Sequence, residues 1–332
     1  MHKRTLAMIL GGIALAALTG LNASVFAPTP PGTARVIAHR GVYHYFDRTG
    51  VGRDDCTASR IVAPVHHYFE NTVRSMREAL ALGADAVEVD IAPTRDGEIV
   101  LFHDWTVDCR TEGSGETRDL TLRELQALDV GYGYTADGGE TYPLRGRGVG
   151  QMPTLQEALD ALPASAIMFN FKSDDPAEAD QLADALLTAG RDPVPLGDLF
   201  YGATAPSQRI ADRFPGVVAF GSSEAKVCTK DYLLTGWSGR IPPSCRDKVI
   251  GVPLNLRHLF WGWPNRFIAR MADSNTRILV FGPYARGTAN LGLIRPAQLD
   301  AVPNAGQIDV LIDDMWAMRG HLVRWKGRAA ER

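Results

Sequence analysis

The sequence predicts an α/β barrel of the TIM type, (β/α)8, built as a single domain. Three observations predict it. Short apolar runs alternate with helix-like segments along most of the chain, and repeated β-α units imply a parallel sheet with helical crossovers. The runs are nearly continuous in apolar residues, as in Ala166-Ile167-Met168-Phe169, which fits strands covered on both faces. A length of 332 residues suits one such barrel once a leader is set aside.

The first residues read as an export signal. Lys3 and Arg4 give a positive n-region, Leu6 to Leu21 is apolar, and Val25 and Ala27 are small enough for cleavage after Ala27. The competing reading is a retained N-terminal anchor, although the apolar run is short for a membrane span. Either way the expected location is exported: periplasmic, secreted or cell-surface. After a Pro-rich linker, the barrel domain is expected over residues 34–326. Strands are predicted at Arg35–His39, Ala86–Ile91, Glu98–His103, Ile167–Lys172, Leu199–Gly202, Val217–Phe220, Val249–Leu254, Arg277–Phe281 and Asp309–Ile312. Helices are predicted at Glu70–Leu82, Thr121–Leu128, Thr154–Leu162, Ala177–Ala189, Pro206–Phe214, Pro264–Ala272 and Met315–Lys326. Nine strands exceed the eight places of a barrel, so one is false or an edge hairpin; the short run Leu199–Gly202 is the weakest.

Polar residues collect where four successive runs end. His39-Arg40-Gly41 closes the first, Glu88-Val89-Asp90 the second, His103-Asp104 the third and Asn170-Phe171-Lys172 the fourth. In this barrel class the C-terminal strand ends form the face on which active sites are built. Residues two apart in a strand project the same way, so Glu88 pairs with Asp90, and Asn170 with Lys172. Burying such charges unpaired costs several kcal/mol, and a divalent cation between the carboxylates would relieve it. Each fragment alone is ordinary: an E-x-D is usually a solvated face, and His-Asp a turn. Their coincidence in order is what argues for a site.

These residues resemble the glycerophosphodiester phosphodiesterase family. The resemblance rests on His39-Arg40-Gly41, Glu70-Asn71-Thr72, Gly83-Ala84-Asp85 with Glu88-x-Asp90, Thr94-x-Asp96-Gly97, His103-Asp104, Arg110-Thr111 and Pro153-Thr154-Leu155 with Glu157. It is specific over about residues 35–175 and beyond that is a matter of barrel layout. It implies His39 and His103 as general acid and base, in an order the sequence leaves open. It implies Glu88 and Asp90 as ligands to Ca2+ or Mg2+, and Arg40 and Lys172 as phosphate-holding groups. The family commonly has Glu-Ile-Lys where this chain has Asn170-Phe171-Lys172, so the third metal ligand becomes Asn170 with one charge fewer. The implied substrate is a small phosphodiester or lipid head group, cut to glycerol phosphate and an alcohol. A phospholipase D-like enzyme acting on intact lipids and a non-catalytic binding barrel are the competing readings.

Two further departures bear on specificity. A long insert, rich in Tyr and His, separates Gly41 from Glu70 and reads either as a lid or as a surface loop with its aromatics packed beneath. His66-His67 reads as exposed. Phe281-Gly282-Pro283 and Asp313-Asp314 stand where the family carries other residues near the last strands. Glu70-Asn71-Thr72 reads first as a helix cap, with a hydrogen bond to a catalytic group as the alternative. Phe260-Trp261-Gly262-Trp263-Pro264 reads as packing before it reads as a peripheral membrane contact. Four cysteines in an oxidising compartment favour disulfides, paired Cys228–Cys245 and Cys56–Cys109. A net charge of −3 and no basic groove argue against nucleic acid.

Overall fold

The computed structural model describes residues 3–52 and 54–330; Met1 and His2 of the expected leader lie outside them. Lys3–Asn22 forms a helix, and among the described residues no helix is long and apolar enough to cross a membrane. Nine strands follow: β1 Arg35–His39, β2 Ala86–Pro93, β3 Ile99–Leu101, β4 Ala166–Phe171, β5 Leu199–Gly202, β6 Val218–Gly221, β7 Val249–Pro253, β8 Arg277–Phe281 and β9 Ile308–Ile312. Eight of them run parallel in the order β6-β5-β4-β2-β1-β9-β8-β7, a nearly closed TIM barrel. The barrel's free edges, β6 and β7, are spanned by the helix Ser222–Thr235, whose Thr229 hydroxyl both donates to Gly251 O and accepts from Gly251 N.

The surplus strand is β3, not Leu199–Gly202. Only Thr94–Glu98 separate β2 from β3, and a parallel crossover needs a dozen residues or more, so the chain turns back as a hairpin. β3 therefore pairs antiparallel with the outer half of β2, with Ile91 opposite Leu101. The helix Ser222–Thr235 has no counterpart in the expected set. Its sequence carries a weak apolar stripe, and it is pinned instead by the Cys228–Cys245 disulfide.

Alternation along the strands sorts side chains by height inside the barrel. Ile37, Ala86, Ala166, Met168, Leu199, Phe220, Val249 and Leu311 form the apolar interior. Two residues further along β1, β2, β4 and β5 come His39, Glu88, Asn170 and Tyr201, so the same inward face turns polar at the mouth. At the opposite end Asp309 takes ion pairs from Arg35 and Arg277, both at 2.7 Å. The alternate faces of the strands pack on the helices in the larger core. The run Phe260–Pro264 belongs to that core: Phe260 is buried, Trp261 and Trp263 pack against it, and Trp261 Nε1 donates to Leu233 O.

The insert after Gly41 packs as a cap with a core of its own. Tyr43, Phe46, Val51, Ala58, Ile61 and Phe69 meet Val100, Phe102, Val107, Val130, Tyr134 and Leu144 from the segment after β2. The Cys56–Cys109 disulfide joins the two segments. His66 is buried rather than exposed, stacked on His44 with ring centroids 4.4 Å apart; His67 is exposed. The reason is aromatic packing: Tyr134 edges onto His44 and Trp316 onto His66. His44 Nε2 is buried without a hydrogen-bond partner.

Two predictions follow from this packing. Replacing Asp309 with Ala leaves two arginines facing each other without their shared carboxylate, which costs about 3 kcal/mol by the usual scale for breaking a buried pair. Burial would raise the Asp309 pKa, but Arg277 and Arg35 hold it below the usual range, so its contribution is present near neutrality and lost in acid. Urea unfolding of Asp309→Ala at pH 7 checks the loss. The second concerns His44, whose pKa burial and the neighbouring His66 and His67 push down to about 3. Its unfolded form takes up a proton near pH 6.5, so stability falls as pH drops below that, by up to about 1.4 kcal/mol per unit. In His44→Phe the urea midpoint should change less between pH 6.5 and 4.5 than in the parent; equal slopes would remove His44 as the cause.

Candidate active site

The barrel mouth gathers every residue that the strand ends single out. Asp90 is the centre of the cluster and is fully buried. Its Oδ1 accepts from Lys172 Nζ at 2.9 Å and Asn170 Nδ2 at 2.8 Å. Its Oδ2 accepts from Asn71 Nδ2 at 3.0 Å and lies 3.2 Å from Arg40 Nε. Asp90 also anchors the backbone, because its own N–H donates to Asn71 Oδ1 at 3.0 Å. Burial would raise the Asp90 pKa, but Lys172 and Arg40 outweigh it and keep the carboxyl well below its ordinary range. The register places Asp90 beside Asn170, which explains why the two strands deliver these groups to one point.

Glu88, one pleat below, has different company. Its Oε1 accepts from the Tyr201 hydroxyl at 2.7 Å and its Oε2 from the Arg40 backbone N–H at 3.1 Å. Both donors are neutral. Burial and the Asp90 charge raise the Glu88 pKa. A fully buried carboxylate whose hydrogen-bond donors are neutral, with a second carboxylate two residues on in the same strand and an amide oxygen on the neighbouring strand, offers the oxygen-donor types a hard divalent cation takes, although the Asp90 oxygens are engaged by Lys172, Asn170 and Asn71 here. Asn170 turns its nitrogen toward Asp90 here, which leaves its side-chain oxygen as the atom available to a cation.

The turn after β1 brings Arg40 into the cluster. Arg40 and Gly41 both take positive φ, at 57° and 81°, and a Cβ on Gly41 would stand 2.6 Å from Ser75 Oγ. That close approach and the positive φ together require glycine here. Arg40 Nη1 bonds Glu70 at 3.0 Å, while its Nε, buried, makes no hydrogen bond. Glu70 is thus not simply a cap. It joins Arg40 to Arg110, whose Nη1 lies 3.0 Å from its other oxygen; the cap is Thr72, whose side chain accepts from Ser75 N.

The two histidines adjoin this cluster, each backed by a carboxylate. His39 Nδ1 lies 2.7 Å from Asp313 Oδ1, and its Nε2 lies 3.8 Å from Glu88 Oε2. Burial lowers the His39 pKa, but Glu88 and Asp313 outweigh it and raise it. His103 Nδ1 lies 2.6 Å from Asp104 Oδ1. Burial, then Arg40 and Lys172, push the His103 pKa down to about 4. His103 does not end a barrel strand. The antiparallel β3 carries it back over the mouth, where Phe102 N bonds Asp90 O at 2.9 Å. A cleft of about 270 Å³, counting its solvent opening, lies beside His103 and Lys172 and is lined by Trp105, Thr117 and Arg118.

Asn71, singled out in the sequence only within Glu70-Asn71-Thr72, bonds Asp90. Other site residues carried no sequence signal strong enough to single them out: Tyr201 acts by bonding Glu88. Asp313 stood only as part of an Asp-Asp pair near the last strand; β9 pairs with β1 and so returns it to His39. Arg48, from the cap, reaches Asp313 Oδ2 with Nη2 at 2.5 Å.

Comparison with known proteins agrees with this layout. The model of the glycerophosphoryl diester phosphodiesterase family matches residues 39–188. A glycerophosphodiester phosphodiesterase of Caldanaerobacter subterraneus is 35% identical over 103 residues, which is 31% of this chain and 39% of that protein. One from Bacillus subtilis is 36% identical over 94 residues, covering 27% and 31%. The chain thus spans less than half the length of these relatives. The solved glycerophosphoryl diester phosphodiesterase domain of a Mycobacterium tuberculosis protein superposes with a TM-score of 0.59 at 19% identity, over 89% of this chain and 99% of that one. An Oleispira antarctica phosphodiesterase in complex with the product sn-glycerol-3-phosphate gives 0.54 at 18%, over 88% and 97%. At such identity the superpositions speak for the barrel alone. The stretch from 39 to 188 holds both histidines, both strand carboxylates and Asn170-Phe171-Lys172, and over it the chain is similar to the glycerophosphoryl diester phosphodiesterase family.

Proposed function

We propose that this protein is a phosphoric diester hydrolase that cuts glycerophosphodiesters into glycerol phosphate and an alcohol. The observation that carries the reading is the pair of histidines backed by carboxylates, set in opposite charge environments around one cationic cluster. His39 lies between Asp313 and Glu88, which favour its charged form, so it gives a proton to the departing alkoxide. His103 lies beside Arg40 and Lys172, which favour its neutral form, so it takes a proton from the attacking hydroxyl. The carboxylates behind them fix each ring with Nδ1 inward and leave Nε2 for the reaction. Arg40 Nε, buried with no acceptor, and Lys172 Nζ hold the phosphoryl oxygens. The cleft beside Trp105 receives the alcohol.

Glu88, Asp90 and Asn170 would hold a divalent cation, Ca2+ or Mg2+, which when bound neutralises phosphate charge and stabilises the transition state. The protein works outside the cytoplasm, a reading supported by the apolar leader and by two disulfides, Cys56–Cys109 and Cys228–Cys245.

The acid and base roles have a kinetic test. His39→Ala and His103→Ala should each lose 10²- to 10⁴-fold in kcat on glycerophosphocholine. A chromogenic diester with a nitrophenol leaving group needs no proton on departure. It should restore much of the rate in His39→Ala and little in His103→Ala; the opposite pattern would reverse the assignment. Turnover of the intact phospholipid at a rate equal to its deacylated form would favour a lipase instead. The metal has a separate test. A chelator should abolish turnover, and Asn170→Glu should bind Ca2+ at least ten-fold more tightly by calorimetry, since it restores a charge to the oxygen set. Equal affinity of the two forms would take Asn170 out of the ligand set.

A further inference from the structure

The cap carries one residue that enters the site itself. Arg48 lies in the segment between Gly41 and Cys56. Its guanidinium bonds Asp313 Oδ2 at 2.5 Å and, through Nη1 and Nη2, the Gly292 carbonyl at 3.1 Å. Asp313 uses its other oxygen on His39 Nδ1 at 2.7 Å. Both partners are largely shielded, Arg48 at 15% and Asp313 at 4% side-chain exposure, so the charge-assisted bond is protected from screening. The other histidine has the same construction. Arg110 Nε bonds Asp104 Oδ2 at 2.9 Å, and Asp104 Oδ1 meets His103 Nδ1 at 2.6 Å. Each ring is therefore the end of an Arg-Asp-His chain.

The two chains differ in where their arginine comes from. Arg110 belongs to the segment that carries His103, six residues from Asp104. Arg48 belongs to the cap, 265 residues from Asp313. The Cys56–Cys109 disulfide ties the segment bearing Arg48 to the residue next to Arg110. We propose that Arg48 is a positioning residue for His39: it fixes Asp313 in the rotamer that orients the ring, so the cap completes the catalytic apparatus rather than only covering it. This rests on the role given to His39 above. Removing the arginine leaves the Asp313 carboxylate held by the ring it is meant to orient and by the Gly292 backbone amide, without its charged partner and next to a Gly292 carbonyl that has lost its donor.

The experiment reads the ring directly and does not depend on turnover. Proton–nitrogen spectra of the histidine rings are recorded on the full chain and on Arg48→Ala, Arg48→Lys and Arg145→Ala, alongside steady-state kinetics. Arg145 stacks 3.5 Å over Tyr142 in the segment under the cap and touches neither histidine chain, so its loss loosens the same region without reaching Asp313. In Arg48→Ala the His39 Nδ1–H resonance should broaden into exchange with water while that of His103 stays. There kcat should fall about 10- to 100-fold with KM within two-fold, the scale of other ring-orienting partners. Arg48→Lys, which keeps a donor for Asp313 but not the two-nitrogen grip on Gly292, should retain the resonance with exchange at least three-fold faster. Arg145→Ala should change neither resonance. An unaltered His39 resonance in both Arg48 variants, or an equal effect of Arg145→Ala, overturns the proposal. If the parent chain turns over no phosphodiester, the reaction assigned above fails, while the ring spectra still decide the part played by Arg48.

Discussion

The buried carboxylate of Asp90 is the interaction around which the site is assembled. An ionised carboxylate taken wholly out of water costs several kcal/mol unless its lone pairs are met. Three donors and an ion pair from three parts of the chain meet them: Asn170 on β4 and Lys172 just after it, Asn71 in the turn before the helix Val73–Ala81, and the guanidinium of Arg40 after β1. The requirement to satisfy that one group fixes how the ends of β1, β2 and β4 sit together. It also leaves Arg40 and Lys172 poised at the same spot, with their positive charge already localised for an anion. Five carboxylates (Glu70, Glu88, Asp90, Asp104, Asp313) and four cations (Arg40, Arg48, Arg110, Lys172) occupy the mouth.

The two histidines solve the same orientation problem at different ranges. His103 is followed in sequence by its own carboxylate, and Asp104 is set by a local turn. His39 takes its carboxylate from the far end of the chain, a contact that exists only once β9 has docked beside β1. The first arrangement is built within a hairpin and its loop. The second depends on barrel closure and on the cap. His39 thus reports on the whole fold, and His103 on a small part of it.

Much of this was legible in the sequence, for physical reasons that also mark its limits. Strand periodicity set His39, Glu88, Asp90, Asn170 and Lys172 on inward faces, because a two-residue repeat admits no other placement once the core face is known. The weak run Leu199–Gly202 is a barrel strand, since a strand buried on both faces needs only a few apolar residues. The direction of β3 was written in the brevity of Thr94–Glu98 but hidden by the strength of its apolar pattern. Asp313 and Arg48 were not legible at all as site residues. Their roles depend on contacts across more than 260 positions, and a lone acidic pair or a lone arginine in a loop has no period to betray it. The helix Ser222–Thr235 escaped notice because a disulfide, rather than an apolar stripe, anchors it.

That helix also bears on how the barrel closes. Among the described residues no strand ladder joins β6 to β7; the helix that follows β6 crosses the gap and meets β7 through one hydroxyl, Thr229, which engages both polar atoms of Gly251. The ring of strands is thus completed by a side chain, and this seam lies opposite β1 and β2, which carry His39, Glu88 and Asp90.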